Sequence, residues 1–282
     1  MARTGWREQL GLWRSLLMYY GIPGRQSRMR RLYGQFIQPD DLCFEIGAHV
    51  GNRLMAWRAL GARVVALEPQ PLFMQTLQRR YGTDEAIVLE EKAVGAEAGE
   101  ATLHVSTRTP TLSTLSQDWI ACVQQDASFS KVQWDRQVTV PMTTLDALID
   151  VWGEPTFCKI DVEGFELAVL QGLSRPLATL SFEYIPAAID VALSCIKRLE
   201  ALGQYQYNLA PGERHRLQFE QWLSAQEMSN QIRQVREGSG DVYARLMESA
   251  QIPATGTSLK AASCKLQADD FAEIGVLVEV AV

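Results

Sequence analysis

The 282-residue chain contains no apolar stretch near the ~20 residues that a membrane-spanning helix needs. Its N-terminal apolar run "LLMYY" is five residues long and has no small-residue cleavage site behind it. Paired cysteines are also missing. Cys43, Cys122, Cys158, Cys195 and Cys264 are odd in number and contain no C-x-x-C motif, which argues against a disulfide framework and a zinc knuckle and for a reducing compartment. Positive charge is scarce: 27 Lys and Arg against 33 Asp and Glu give a net charge of -6 and a pI near 5.3. That balance argues against a general nucleic-acid binder, which needs a broad basic surface to displace counterions. Only three histidines occur, His49, His104 and His215, and none has the spacing of a helical metal-ligand pair. These absences predict a soluble, cytoplasmic protein without a metal. What is abundant is apolar content, 47% of the residues, enough for one large core or a core with an appendage.

Residues 1 to 38 read as a separate helical segment. Trp6, Leu10, Trp13, Leu17 and Tyr20 recur at three- and four-residue spacing and predict the buried face of an amphipathic helix, which "GIPG" interrupts at 21 to 24. Arg25, Arg28, Arg30 and Arg31 follow on the start of a second helix; they form a solvated face or a weak contact to an anionic surface. From residue 41 short apolar strands alternate with helices: "LCFEI", a helix over 52–60, "RVVAL", a helix over 71–81, and "AIVLEE". The alternation resumes with "TFCKI", a helix over 165–173, "TLSFEY", a helix over 187–202 and "YQYNL", then a helix over 219–236 and a strand in "GSGDVYARL". Such alternation predicts a doubly wound, mostly parallel α/β sheet. The interruption at 95–150 carries two strand-like patterns, "EATLHVS" and "QVTVPM", around a polar loop, long enough to shape an acceptor pocket or lid. Residues 248–282 read as linker plus one more strand, "FAEIGVLVEVAV", of unknown role.

The stretch "CFEIGAHVGNR" has strand, glycine loop and helix in the order of a ligand cradle. A dinucleotide fingerprint registered on Gly47 needs glycines at 49 and 52, but His49 and Asn52 stand there. A side chain at 49 obstructs the approach of a pyrophosphate, so an NAD site is disfavoured. The spacing E-x-G-x-x-x-G, with Glu45, Gly47 and Gly51, suits a ligand with an amino-acid end and a nucleoside end but no diphosphate. Glu68 ends the next strand 21 residues after Gly47, near the distance at which a carboxylate meets ribose hydroxyls. Its alternative is to cap the helix beginning at Pro71.

"CFEIGAHVG", "VVALEPQPLFMQTL", "KAVG", "VTVPMTTLDAL" and "CKIDVEGFELAVLQG" occur in this order, with "SFEY" and "GDVYAR" in keeping. Over residues 39–247 the chain resembles the FkbM-type S-adenosylmethionine-dependent methyltransferases. That resemblance implies a class I methyltransferase fold, Rossmann-like, with a seven-stranded sheet whose final strand is reversed. It also implies S-adenosylmethionine as cofactor and O-methylation of a hydroxyl on a small molecule, a sugar or a glycan- or lipid-linked metabolite. The cofactor set it implies is Glu45, Gly47, His49, Gly51, Asn52, Glu68, Ala93 and Asp161. His49 departs from the asparagine common in the family, and 248–282 lies outside the pattern.

Methyl transfer from a sulfonium is an in-line displacement in which positioning supplies much of the rate. The acceptor proton still has to leave. Asp161 ends an apolar run at the sheet edge where doubly wound folds bind ligands and is the first candidate for acceptor contact. Glu183, at the end of the next strand, and His49 are the other catalytic candidates, and Glu163 reads as a helix-dipole residue. Lys159 lies between apolar neighbours and calls for a carboxylate partner. Ser113 and Thr114 bond a ligand or solvent; His104 and His215 are expected at the surface. Because the cradle lies wholly beyond residue 38, loss of the N-terminal segment is expected to change acceptor affinity more than cofactor affinity. A dinucleotide oxidoreductase and a non-catalytic module that keeps the fold are the competing readings.

Overall fold

The computed structural model describes residues 11–247 except 14, 15 and 18. The strand expected in "FAEIGVLVEVAV" therefore lies outside the described residues, as do Trp6 and Leu10. No helix among the described residues is long and apolar enough to cross a membrane. The described chain up to Met247 belongs to one compact unit, which includes the segment before residue 39.

A seven-stranded sheet forms the centre. Its strands are β1 (Leu42–Ile46), β2 (Arg63–Leu67), β3 (Ile87–Glu90), β7 (Phe157–Ile160), β8 (Thr179–Tyr184), β9 (Tyr205–Pro211) and β10 (Gly240–Leu246). They lie in the order β3-β2-β1-β7-β8-β10-β9. Every pairing is parallel except those of β10, which runs antiparallel to both β8 and β9. This is the expected sheet with its reversed final strand. Alternate residues of β1 and β2 feed opposite faces: Leu42, Phe44, Ile46, Val65 and Leu67 join one apolar cluster, Cys43, Val64 and Ala66 the other. Both faces are therefore buried, which explains why these strands read as continuous apolar runs rather than alternating ones. The thiols of Cys43, Cys158 and Cys195 are free and buried.

The interruption expected at 95–150 supplies two of the three strands of a second sheet. Strands β4 (Ala93–Val94), β5 (Gly99–Val105) and β6 (Arg136–Thr143) pair in the order β4-β6-β5. Two short helices there were not expected from the sequence, Gln117–Val123 and Leu145–Trp152. Each starts at a hydroxyl cap, Ser116 accepting from the Trp119 N–H and Thr144 from that of Ala147. The helix expected over 219–236 is shorter, Ala225–Gln234, because the capping box of Ser224 and Glu227 sets its start.

The N-terminal segment corrects the expected helix face. Trp13 and Leu17 are 67% and 74% exposed, whereas Leu12, Leu16, Tyr19 and Tyr20 pack on Val50, Leu72 and Phe73. Both sets fit a 3.6-residue period, and the neighbours decide which one is buried. The following helix, Arg25–Tyr33, buries Met29, Leu32 and Tyr33 against Trp57 and Phe157. Arg25 does not belong to an exposed arginine cluster: it is 2% exposed, lies over the Tyr19 ring and pairs with Glu213.

Candidate active site

Strands β1 and β7 are neighbours whose connections lead to opposite sides of the sheet, so a crevice opens beyond their C-terminal ends. The loop after β1 is held tightly there. Gly47 adopts φ +87°, and a Cβ on it would meet the Asp161 carbonyl oxygen at 1.9 Å. Its missing side chain thus admits the neighbouring loop rather than a ligand. Gly51 (φ +74°) backs onto Leu77 and Tyr81 in the same way. His49 is a non-glycine residue at φ +50°, a conformation that persists only where surroundings impose it. Glu68 does so, its carboxylate accepting the backbone N–H of His49 and of Gln70, each at 2.8 Å. Glu68 therefore ties the β1 loop to Gln70, the residue before helix Pro71–Tyr81, and stands on the cavity wall without capping that helix's first turn.

The cleft is open to solvent. Of the residues expected in the site, Gly47, His49, Glu68, Ala93 and Asp161 line it, with Ser113, Thr114 and Glu163. Glu45, Gly51 and Asn52 stand behind that wall. Glu45 is fully buried and faces Arg53 at 3.8 Å; Asn52 is buried at the first position of its helix. Glu183 lines a smaller adjoining cavity with Trp119 and Glu166. Sequence reading missed Tyr19, Arg53, Gln70 and Lys92 on the wall of the main cleft. Arg53 was legible only as the second residue of the helix after the loop; Tyr19 comes from the segment expected to stand apart.

The polar loop is not solvated. Ser113 donates to Gln70 Oε1 at 3.2 Å and to the Pro110 carbonyl at 2.9 Å, and Thr114 donates to the Glu163 carbonyl at 2.7 Å. His104 is buried, and so is the His215 side chain, which lies 3.1 Å from Glu213, so neither sits at the surface as expected.

Charges concentrate on the β7 side. Lys159, fully buried, takes the carboxylate partner it calls for: Asp241 at 2.8 Å and Asp161 at 3.3 Å. Arg53 meets Asp161 at 2.7 Å. Burial disfavours the charge of Asp161, but Lys159 and then Arg53 outweigh it and hold its carboxyl below the usual range. The carboxylates of Asp161, Glu163 and Glu183 lie within 4.8 Å of one another. Glu163 sits in the loop at φ +54° rather than heading a helix; Glu166 begins that helix and accepts the Val162 and Gly164 N–H groups. Burial, then the neighbouring acids, raise Glu163 and Glu183 well above the ordinary carboxyl range. Burial also lowers His49 to about 3, leaving a neutral imidazole whose buried Nε2 has no hydrogen-bond partner.

Residues 45–191, more than half the chain, match the methyltransferase FkbM domain. A reversed strand in a seven-stranded sheet and a glycine-loop cleft at its switch point define a class I methyltransferase. The chain belongs to the FkbM methyltransferase family and is S-adenosylmethionine-dependent. The dinucleotide and non-catalytic readings give way to that membership. No curated protein matches the sequence. Among solved structures, a precorrin-6y C5,15-methyltransferase from Geobacter metallireducens GS-15 shares 13% identity over 78% of this chain and 86% of its own, with a TM-score of 0.41. An S-adenosylmethionine-dependent O-methyltransferase from Thermotoga maritima shares 10%, over 83% and 71%, at 0.40. An rRNA methylase from Streptococcus thermophilus shares 10%, over 78% and 94%, at 0.42. At these values no substrate is carried over, and the fold assignment rests on strand order and family.

The residues present fit the cofactor. Glu68 has lone pairs not used by His49 and Gln70 that vicinal hydroxyls would meet, and Nε2 of His49 is an unpaired polar atom on the wall. Val94, Leu103 and Val162 supply apolar surface for a base.

Proposed function

We propose that the enzyme O-methylates a hydroxyl of a small molecule, a sugar or a glycan- or lipid-linked metabolite. The observation that carries this reading is the trio Asp161, Glu163 and Glu183, whose carboxylates lie within 4.8 Å of one another beside the cleft. Bound S-adenosylmethionine supplies an electrophilic methyl group. The chain's own residues have to orient a hydroxyl and accept its proton. Asp161, fixed by Arg53 and Lys159, orients the acceptor as its nearest fixed charge. Glu183 and Glu163 are the more basic proton acceptors, because burial and the neighbouring acids raise their carboxyls above the usual range while Asp161 is held below it. His49 serves as a contact on the cofactor side; an imidazole lowered to about 3 is a poor base. Glu45, Gly51 and Asn52 support the cofactor loop from behind.

The reaction so described needs no metal, and chelation with EDTA is expected to leave activity unchanged. Exposed Arg28, Arg30 and Arg31 support a weak contact to an anionic acceptor or surface. Buried free thiols support a cytoplasmic setting. The test is transfer of labelled methyl from S-adenosylmethionine to a panel of hydroxylated acceptors, with products analysed by NMR. A methyl ether supports O-methylation; methylation at nitrogen or carbon contradicts it.

A further inference from the structure

Three consecutive carbonyls of the cofactor loop are each taken by a side chain from elsewhere. Tyr20 donates to Val50 O at 2.9 Å, Tyr81 to Gly51 O at 2.7 Å, and Gln26 to Asn52 O at 3.0 Å. Two of the three donors precede residue 45, where the family match begins. Tyr20 lies with its hydroxyl 3.2 Å from that of Tyr81 and is covered by Arg80, whose guanidinium lies 3.8 Å from its ring centre. Beside it, Tyr19 stands on the cleft wall with its ring edge-on to His49, centroids 5.3 Å apart. Phe73 packs on the same imidazole at 4.1 Å. The positive-φ histidine is thus held between one ring from the methyltransferase domain and one from the N-terminal segment. Arg25, paired with Glu213, covers Tyr19 at 4.8 Å from its ring centre.

We propose that residues 19–26 are part of the cofactor site. Tyr19 is a cofactor-contacting wall, and Tyr20 and Gln26 are positioning residues that pin the glycine loop in its binding shape. The inference rests on the methyltransferase reading and goes beyond it, since it assigns binding residues to a segment outside the matched domain. The segment then serves the cofactor directly, where the sequence leads to the expectation of a larger effect on the acceptor. Its physical basis is preorganisation: a loop whose carbonyls are already satisfied loses less freedom on binding. The ring of Tyr19, rather than its hydroxyl, does the work, because aromatic contact area carries the wall.

Calorimetric titration of the full chain with S-adenosylhomocysteine tests this. Tyr19→Phe is expected to bind within threefold of wild type and Tyr19→Ala at least tenfold more weakly. The double variant Tyr20→Phe with Gln26→Ala is expected to speed dissociation of the nucleoside at least threefold, and hydrogen exchange at residues 48–52 should rise while that of β7 stays unchanged. If Tyr19→Ala folds poorly, Tyr19→Leu fills the space without the ring and is expected to show the same tenfold loss. Variants that bind and release the nucleoside as wild type does would overturn the inference alone. A wild-type protein that fails to bind it would overturn the cofactor reading on which the inference rests.

Discussion

The Glu68 carboxylate and the backbone N–H of His49 are 2.8 Å apart, and this contact joins the tip of the second strand to the loop leaving the first. One acid therefore both shapes the cofactor loop and faces the cleft. Glu68→Ala orphans two buried N–H groups as well as removing the ligand contact. Leaving a buried donor without its acceptor costs about 1–3 kcal/mol, so S-adenosylhomocysteine affinity is expected to fall at least tenfold. Glu68→Gln, which keeps one acceptor oxygen, should fall between. Calorimetry on both variants checks the order.

Gly47→Ala is a test of packing. The Cβ would meet a backbone oxygen at 1.9 Å from a φ of +87°, and neither loop yields without disturbing the β1–β7 pairing. A loss of about 1–3 kcal/mol from overpacking alone is expected, more with the strained φ, read as a lowered urea midpoint. An unchanged midpoint would mean that the two loops separate freely.

Asp161→Asn should separate binding from chemistry. Asparagine keeps the volume but removes the charge that Arg53 and Lys159 surround. Lys159 retains Asp241 at 2.8 Å, so the fold should survive at reduced stability. Turnover is expected to fall by about 10²–10⁴ with cofactor affinity changed less than about tenfold. Turnover within threefold of wild type would leave positioning alone as the source of rate.

Stability should decline as pH rises from about 5 to 8. Burial raises Glu68 and Glu166 to about 7 and Glu45 to about 8, against an ordinary 4.5. In that interval the folded chain holds protons that the unfolded chain has released, so the slope of stability with pH is negative. Below 6.5 the buried neutral His49 acts in the opposite sense, since the unfolded chain then binds its proton more readily. Three carboxyls outweigh one imidazole, so the melting temperature of the ligand-free protein is expected to be highest near pH 5 and to fall steadily to pH 8. A melting temperature that climbs steadily to pH 8 would mean that these carboxyls are not held neutral by the fold.

The sheet was legible because its central strands are buried on both faces. "LCFEI", "RVVAL" and "TLSFEY" match their strands residue for residue, and the helix over 71–81 begins at a proline suited to a first turn. Short helices at 117–123 and 145–152 were not legible, because each is two turns or less and announced only by one hydroxyl cap. In the site, Glu68, Asp161 and His49 could be placed from strand ends and loop spacing. Arg53 and Tyr19 could not, because their approach depends on tertiary packing. Glu45 illustrates the limit in the other direction: its place at the strand tip was readable, but not that Arg53 would stand between it and the cleft.

The central claim, that the cleft between the β1 and β7 loops binds S-adenosylmethionine, is tested most directly by calorimetric titration of the wild-type chain with S-adenosylhomocysteine and, separately, with NAD. Saturable binding of the first to a single site, reduced at least tenfold in Glu68→Ala, with NAD bound weakly or not at all because His49 occupies the glycine position of a dinucleotide loop, is the predicted result. Tight binding of NAD with none of the nucleoside would contradict it.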